Sequence, residues 1–539
     1  MEQIDRMEVS GAVGAGEGQR VRSATGSFPA RLLAGWRADV VSLAAGALFP
    51  LAFAPYGYGL IAYPVLAVFF LACLNASAAR AAWRGWLFGV GQFTVGCGWV
   101  YTALQYGGGV PAGIPLLLTV FLVSVLALYP ALAAFVSARL YARRPHTMLL
   151  VALPLTWALA EYARSILWTG FPWLLAGYSQ IDTPLAGYAP LLGVFGTGMI
   201  TALVGGLLAS LLLRRQDYLA RLVGIAGLFL LGSLVLQISW TEPQGDPIRV
   251  SLLQGNAVQD EKWSNHSRTE LMNWYQAQTR AHWNSDLIVW PETSIADTPA
   301  NVEALLANLR ARSIRDAKDV IVGVAEGDFT KGGYFNSLVN LRGGVYHKRR
   351  LVPLAEYFPW PNAPAWLASV LRLQMSDARH GEDDQPLLEG AGHKLGASIC
   401  YEISYSDEVR RALPAAAVLV NSGNDAAFRQ SNQPYQHHEI ARFRALETGR
   451  YLIRAVNTGI SAVIGSKGEV VASARAGEET VVTAKVQPLS GSTPYVWLGD
   501  IPLVVLGLGF LVLASVVPGA RRDRRQAVKR LSRSRFPFS

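Results

Sequence analysis

Long apolar stretches alternate with short polar segments over the first 240 residues. An apolar stretch of about 20 residues is long enough to cross a bilayer as a helix. The pattern therefore predicts seven spans before residue 240 and an eighth near the C-terminus. The predicted spans are residues 38–55, 58–76, 86–104, 114–138, 147–164, 188–212, 219–238 and 498–518. Only a short segment joins the first two, so a hairpin of two helices is an alternative there.

The pattern changes after residue 240, where short apolar runs alternate with amphipathic helical patterns. Continuous apolar strands that alternate with helices are typical of an α/β domain with buried sheets. Predicted strands lie within 248–254, 286–292, 319–326, 394–402, 415–422, 451–457 and 481–486, and predicted helices within 267–283, 301–317 and 437–449. The functional residues of such domains tend to follow strand ends.

The arginines indicate how the spans are oriented. Cytoplasmic loops of membrane proteins carry an excess of Lys and Arg. With a cytoplasmic N-terminus, the predicted inner segments hold Arg31, Arg37, Arg80, Arg84, Arg139, Arg143, Arg144, Arg214, Arg215 and Arg221. The outer loops near 55–58 and 102–113 hold none, and the loop 165–187 has only Arg164 at its edge. The α/β domain is therefore expected on the outer face.

This orientation predicts the domain organisation of the whole chain. The chain begins with a disordered cytoplasmic tail (1–30), rich in Gly, Ser, Ala and Arg, and about seven transmembrane helices follow (31–240). A large α/β domain on the outer face (241–495), a last transmembrane helix (496–519) and a basic cytoplasmic tail (520–539) complete it.

Composition supports a membrane protein. Hydrophobic residues make up 51% of the 539 residues and charged residues only 16%, well below the share of about 25% that is usual in globular domains. The net charge of +10 raises the question of a nucleic-acid partner, but the arginines flank apolar segments and are better explained as orientation signals. Three cysteines at unrelated spacings indicate neither a disulfide framework nor a zinc site.

Three residues at strand ends or in loops suggest acyl-transfer chemistry. Glu292 follows an apolar run, Lys348 lies in a basic cluster, and Cys400 ends the run "KLGASI". A thiol becomes a useful nucleophile when a base takes its proton or a cation stabilises the thiolate. Glu292 is the candidate base, and Lys348 is the candidate cation and oxyanion partner. Taken singly, a cysteine at a strand end is more often a small buried residue, a glutamate after a strand is usually a solvated loop residue, and Lys348 fits a charged face with Arg349 and Arg350.

Their surroundings resemble the nitrilase superfamily, whose members use a Glu–Lys–Cys triad in an αββα sandwich. "WPET", "YHKRRLVP" and "SICYEISY" match its glutamate, lysine and cysteine motifs in the family order. Two downstream blocks, "NSGNDAAF" (421–428) and "QHHEIARFRALETGRYLIRAVNTG" (436–459), are also similar to it. The resemblance implies a nitrilase-like αββα domain beside an α-helical transmembrane bundle of about eight spans.

The chain also resembles the membrane-anchored branch of that superfamily, the apolipoprotein N-acyltransferases, from about residue 35 to its end. The matching stretches are "PLAFAPYGYG" (50–59), "WTGFPW" (168–173), "GYSQIDTPLAGYAPLLGVFG" (177–196), "LLQGNAVQDEKW" (252–263) and "LVPLAEYFP" (351–359). This resemblance implies a multi-pass enzyme of the bacterial inner membrane. It would move an acyl chain from a phospholipid to the N-terminal amine of a diacylglyceryl-cysteine on an apolipoprotein. It implies no metal or other cofactor, and no nucleic-acid partner.

The same resemblance assigns roles to individual residues. It implies that Cys400 is the nucleophile, Glu292 the base and Lys348 the oxyanion partner. The supporting residues that it implies are Glu356, Tyr401, Glu402 and, on a loop, Trp263. In one departure, Ala427 stands where the family often has a tryptophan, which leaves the shape of the pocket open.

Two other functions use the same residues differently. A membrane-tethered nitrilase-type amidase would have the same triad but would let water take the acyl group. A catalytically inactive scaffold would bind lipoproteins without needing the triad. The matches outside the triad favour the acyltransferase over the amidase, and the intact set of Glu292, Lys348 and Cys400 argues against the scaffold.

Overall fold

The computed structural model describes most of the chain. The described residues are 35–107, 113–141, 143–213, 217–257, 265–297, 299–327, 333–357, 378–428 and 430–516. Three features predicted from the sequence lie outside them: Trp263, the tail 1–30 and the tail 520–539.

The N-terminal half is helical. Its helices are α1 (Gly35–Leu48), α2 (Ala62–Cys73), α3 (Ala78–Gly96), α4 (Trp99–Gly107), α5 (Ile114–Leu126), α6 (Leu128–Tyr141), α7 (Leu153–Ile166), α8 (Ala189–Leu213) and α9 (Tyr218–Gln237). Short 3-10 turns follow α1 and precede α2 and α8, and a π-helical turn, Met148–Ala152, leads into α7.

Four helical segments in the described part of the chain are long and apolar enough to cross a membrane. By length and composition these are Ile114–Tyr141, Pro145–Ile166, Pro184–Leu213 and Tyr218–Gln237. Two shorter apolar helices, Gly59–Cys73 and Ile501–Leu513, coincide with two more of the predicted spans. A membrane-helix region is therefore confirmed, but the predicted number of eight spans is not. The first predicted span is interrupted because α1 ends at Leu48 and a 3-10 turn containing Pro50 follows. The third is divided between α3 and α4.

Glycines let α3 approach its neighbours closely. A side chain at Gly91 would lie 2.3 Å from the carbonyl oxygen of Leu43 in α1, and one at Gly85 would lie 2.5 Å from that of Pro130 in α6. Backbones at this separation leave no room even for a methyl group. Small residues at helix contacts are the usual means of close packing between membrane helices.

The second half contains two main β-sheets and a two-stranded ladder. Its strands are β1 (Thr241–Pro243), β2 (Ile248–Gln254), β3 (Leu287–Val289), β4 (Ile295–Asp297), β5 (Asp319–Gly327), β6 (Tyr334–Asn340), β7 (Val345–His347), β8 (Leu388–Gly390), β9 (His393–Ile399), β10 (Val418–Gly423), β11 (Leu452–Val456), β12 (Ala462–Ile464), β13 (Val470–Ser473), β14 (Thr480–Val486) and β15 (Leu489–Gly491). One sheet has the order β14-β2-β3-β5-β6-β7, with β4 beside β5, and the other has the order β13-β12-β11-β10-β9-β8. Both main sheets contain a parallel set, β2–β3–β5 in the first and β9–β10–β11 in the second, whereas β7 runs antiparallel to β6.

Helices cover the outer faces of the two main sheets. The helices of this half are α10 (Asn265–Ala281), α11 (Pro299–Asp316), α12 (Ser406–Arg411), α13 (Gln433–Thr448), α14 (Pro494–Leu498) and α15 (Ile501–Val516). Apolar residues of both sheets, among them Val250, Val289, Ile399 and Val420, share one buried cluster between the sheets. Helices α10 and α11 pack on the first sheet and α13 packs on the second. The α/β prediction is confirmed, and the layers run helix, sheet, sheet, helix.

The α13 layer also faces the membrane helices. A single buried cluster contains Phe69 of α2 and Trp157 of α7 together with Ile440 and Phe443 of α13. The two halves of the chain therefore share one continuous apolar core. In this arrangement, the segment next to the predicted outer loop 55–58 contacts the α/β half. The backbone N–H of Ala54 donates to the Glu439 carboxylate at 3.0 Å.

Candidate active site

The three predicted catalytic residues each follow a strand. Glu292 lies three residues after β3, Lys348 directly after β7, and Cys400 directly after β9. Strands β3 and β7 belong to one sheet and β9 to the other. The two sheets therefore bring the three side chains together although 56 and 52 residues separate them in sequence.

Lys348 holds two carboxylates together. Its Nζ lies 3.1 Å from Glu292 Oε1 and 2.9 Å from Glu356 Oε1. Asn336 Nδ2 donates to the same two oxygens, at 2.7 Å and 3.1 Å. Lys348 is only 1% exposed and Glu292 5% exposed. Buried charges persist when they are paired and hydrogen-bonded, as they are here.

The carboxylates keep Lys348 charged. Burial alone would lower the pKa of its ammonium group, but the charges of Glu292 and Glu356 outweigh burial and raise that pKa well above the usual value. A permanent cation at this position can stabilise negative charge that develops on a substrate oxygen.

Cys400 lies at a sharp change of backbone direction. Strand β9 ends at Ile399, and Cys400 begins a 3-10 helix, Cys400–Ser404, with φ of +51°. Burial, followed by the charge of Glu292, raises the pKa of the Cys400 thiol well above its usual value, and Lys348 opposes this only in part. The resting sulfur is therefore a thiol. A raised thiol pKa favours the first of the two activation routes, in which a base takes the proton as the sulfur attacks.

Glu402 joins the lysine segment to the cysteine segment. Its Oε1 accepts from the backbone N–H groups of Arg349 and Arg350, at 2.6 Å and 3.0 Å. Its Oε2 accepts from the backbone N–H of Ile399 at 2.6 Å and from the Tyr346 hydroxyl at 2.9 Å. Burial raises the pKa of Glu402, and the backbone N–H groups oppose that rise. The carboxylate is fully buried, and all four of these contacts hold strand ends in place.

Tyr401 faces the loop that precedes the 3-10 turns before α8. Its hydroxyl donates to the carbonyl oxygen of Gly170 at 3.2 Å, and its ring stacks on Trp173 at 6.3 Å between centroids. Tyr405 donates to the carbonyl oxygen of Thr169 at 2.8 Å. The "WTGFPW" loop of the membrane half therefore covers the turn that carries the cysteine.

Sequence reasoning missed several polar residues of this site. Asn336, on β6, bridges the two carboxylates, and no motif identified it. Asp425, His437 and Arg454 form a buried network beside Cys400: His437 Nδ1 lies 3.3 Å from Asp425 Oδ1, and Arg454 Nη2 lies 3.4 Å from Asp425 Oδ2. All three fall within the two downstream blocks, so the signal was present without an assignment of roles.

Within the described ranges, no group of three or more His, Cys, Asp and Glu side chains has an arrangement that could hold a metal ion.

Comparison with known proteins identifies relatives of both halves. Residues 45–207 match the family described as apolipoprotein N-acyltransferase N-terminal domain, and residues 249–495 match the carbon-nitrogen hydrolase family. The chain is 41% identical over 505 residues to the apolipoprotein N-acyltransferase of Methylococcus capsulatus, covering 93% of this chain and 99% of that protein. It is 35% identical to the protein of the same name from Coxiella burnetii, covering 88% of this chain and 99% of that one. Among solved structures, a carbon-nitrogen hydrolase from Helicobacter pylori is 19% identical with a TM-score of 0.33, covering 45% of this chain and 89% of that one.

Proposed function

Because the chain belongs to the apolipoprotein N-acyltransferase family, we propose that it moves an acyl chain from a membrane phospholipid to the N-terminal amine of a diacylglyceryl-cysteine on apolipoproteins. This reaction is the last step of lipoprotein maturation. The protein is an acyltransferase with membrane helices, and its lipid and lipoprotein substrates lie in a membrane. The observation that supports the mechanism is the buried cluster in which Lys348 pairs with Glu292 and Glu356. Cys400 follows a strand of the other sheet and faces this cluster.

The first half-reaction forms a thioester. Glu292 takes the thiol proton of Cys400 while Sγ attacks the ester carbonyl carbon of the phospholipid. The carbonyl oxygen becomes an oxyanion, which the ammonium group of Lys348 stabilises. The intermediate collapses, the carbon–oxygen ester bond breaks, and the lysophospholipid oxygen leaves with the proton from Glu292.

The second half-reaction transfers the acyl group. The α-amine of the lipoprotein has a reference pKa near 8, so a useful fraction is neutral near pH 7. The neutral amine attacks the thioester carbon, and Lys348 again stabilises the oxyanion. Glu292 accepts the amine proton and returns it to the departing sulfur of Cys400. The products are an amide and free thiol, so the enzyme returns to its starting state.

Buried surroundings protect the thioester from water. Cys400 is only 9% exposed, and the "WTGFPW" loop of the membrane half packs over Tyr401. A water-poor site also strengthens the electrostatic stabilisation of the oxyanion. Keeping both lipid substrates in the bilayer avoids exposing their acyl chains, which costs about 0.8 kcal/mol for each methylene.

We further propose that the α/β half faces the periplasm from the bacterial inner membrane. The arginine distribution supports this orientation. The predicted outer loop 165–187 and the outer part of the third predicted span also meet the α/β half: Arg442 pairs with Asp182 of that loop, and Trp99 Nε1 of that span donates to Gln436 Oε1 at 3.1 Å. These contacts support a position of the outer loops and the catalytic residues on one side of the membrane.

Labelling from outside the cell tests this orientation. A cysteine introduced at Ala304, an exposed position on α11, should react in intact spheroplasts with a reagent that cannot cross membranes. The matched control, a cysteine at Arg144 in a predicted inner segment, should react only after the membrane is opened. The reverse pattern would overturn the orientation.

The thioester itself is the test of function. Wild-type enzyme incubated with acyl-labelled phospholipid and no acceptor should retain label that neutral hydroxylamine releases. Adding a diacylglyceryl peptide should move the label to its N-terminus, as seen by mass spectrometry. Cys400→Ala should retain none. Release of the label as free fatty acid, with none on the peptide, would support the amidase-like alternative, in which water is the acceptor.

A further inference from the structure

A buried polar network contacts the backbone of Cys400 rather than its sulfur. His437 Nε2 lies 3.1 Å from the carbonyl oxygen of Cys400, and Asn421 Nδ2 lies 3.4 Å from the same oxygen. His437 is 1% exposed and Asn421 fully buried. His437 lies in the first turns of α13 and Asn421 within β10, so two elements converge on one carbonyl group.

The partners of His437 fix its tautomer. Arg454 Nη2 lies 2.9 Å from His437 Nδ1, and a guanidinium group carries donors only. Nδ1 is therefore an acceptor. Burial, followed by the charge of Arg454, lowers the pKa of His437, so the ring is neutral and carries its proton on Nε2. That proton points to the carbonyl oxygen of Cys400.

Asp425 balances the charge of Arg454. Burial tends to raise the pKa of its carboxyl group, but the contact with the His437 ring and the charge of Arg454 lower it below the usual value. Arg454 also donates to Asn421 Oδ1, so a single guanidinium group aligns both side chains that hold the carbonyl of Cys400. The network is polar and buried, and its two charged groups, Asp425 and Arg454, pair with each other.

The backbone at Cys400 needs this support. A non-glycine residue held in a sparsely populated region such as the left-handed one costs about 1–3 kcal/mol and persists only where its surroundings over-determine it. The φ of Cys400 is +51°. Because the peptide unit is planar, fixing the Cys400 carbonyl also fixes the N–H of Tyr401 on the opposite edge of the same plane.

We propose that His437 is a positioning residue that holds the Cys400–Tyr401 peptide by donating from Nε2 to the Cys400 carbonyl. Held in this way, the turn aims Sγ at the carboxylate of Glu292 and the ammonium group of Lys348. Arg454 selects the tautomer that makes this hydrogen bond, and Asp425 balances the charge of Arg454. The inference rests on the proposed thioester chemistry and adds to it a group that touches neither substrate.

Two substitutions separate the hydrogen bond from the shape of the ring. His437→Gln keeps a donor that reaches the carbonyl and an acceptor for Arg454, whereas His437→Leu keeps neither. The neighbouring residue His438, whose Nδ1 has no hydrogen-bond partner within the described part of the chain, provides the matched control His438→Leu. Each variant is assayed as full-length enzyme in detergent for acyl-enzyme formation and, without lipid, for alkylation of Cys400 by iodoacetamide.

Misplacing a reacting group by about 1 Å can cost about 100-fold in rate. His437→Leu should therefore lower kcat for acyl-enzyme formation by about 10- to 100-fold and leave the KM for phospholipid unchanged. Alkylation of Cys400 should slow in parallel. His437→Gln should recover most of the rate, and His438→Leu should behave as wild type. If His437→Leu does not fold, His437→Asn replaces it with the same expectation, because its amide is too short to reach the carbonyl.

Two results would overturn the inference: wild-type rates in His437→Leu, or equal losses in His437→Leu and His437→Gln. Failure of the proposed function gives a different result. The wild-type enzyme would then form no acyl-enzyme from phospholipid, while the alkylation rates would still rank the variants.

Discussion

Replacing Glu402 by glutamine should damage both stability and catalysis, because four donors converge on this one carboxylate. A glutamine amide has one acceptor oxygen. Placed at the Oε1 position, that oxygen still serves the N–H groups of Arg349 and Arg350. The NH₂ group then faces the backbone N–H of Ile399, which loses its partner, while the Tyr346 hydroxyl can rotate to accept. The opposite placement is worse, because it leaves two backbone N–H groups unpaired.

The size of the effect follows from this count of hydrogen bonds. An orphaned buried N–H costs about 1–3 kcal/mol, and exchanging charged for neutral acceptors weakens the remaining bonds by about 1 kcal/mol each. The expected loss in the free energy of unfolding is about 3 kcal/mol, which corresponds to a melting temperature about 3 °C lower for a chain of this size. Movement of the segment that carries Lys348 should also slow acyl-enzyme formation by about 100-fold.

The assay follows thermal unfolding in detergent and the rate at which labelled acyl groups appear on Cys400. Tyr346→Phe is the matched control, because it removes one donor, leaves three on the carboxylate and should cost only about 1 kcal/mol. If Glu402→Gln melts with the wild type and acylates at the normal rate, the carboxylate does not hold the two segments together and the reasoning is wrong.

Three further results are expected. Lys348→Met should slow acyl-enzyme formation by about 10²–10³-fold, because it removes the cation that stabilises the oxyanion; a normal rate of acyl-enzyme formation would place Lys348 outside the catalytic unit. Burial raises the pKa of Glu439 from 4.5 to about 8, so its contribution to stability is full below pH 4.5 and is lost as the pH rises through 8. The melting temperature of Glu439→Gln should therefore change less between about pH 5 and about pH 9 than that of the wild type. An equal dependence of the melting temperature on pH would contradict this. Trp173→Phe removes a buried hydrogen bond to α13 and should destabilise the protein by about 1 kcal/mol in the same melting assay.

The sequence predicts the α/β half well because its strands are continuous apolar runs. Each of the seven predicted strands overlaps an observed strand, and β2, β5, β11 and β14 are matched to within a residue at each end. Short strands such as β4 and β7 were missed, because three residues carry too little periodicity to be recognised and pairing with neighbours stabilises them. Helix bounds in the membrane half were predicted less well, since packing at glycines and proline-containing turns divides apolar stretches that look uniform in sequence.

The candidate site also has features that the sequence predicts and features that only the fold reveals. Lys348 and Glu356 are eight residues apart and their motif could be read directly, but nothing in the sequence indicates that one ammonium group bridges Glu292 and Glu356. That contact depends on three loops converging, and so does the role of Asn336. His437 and Asp425 are separated by only twelve residues along the chain, but their shared partner Arg454 lies farther along, on β11. Such networks emerge only from the pairing of β10 with β11 and the packing of α13.

The apolar core that the membrane helices share with α13 limits how the protein can be dissected. Cutting near residue 240 would expose Ile440 and Phe443 to water and would remove the tryptophan partners of Gln436. A fragment that contains only the second half would therefore expose the apolar face of α13 that now packs against the membrane helices. Aggregation through this face would compete with folding of the fragment. Unfolding should likewise be cooperative across the two halves, so that heat or denaturant disrupts the membrane anchor and the catalytic machinery in a single transition.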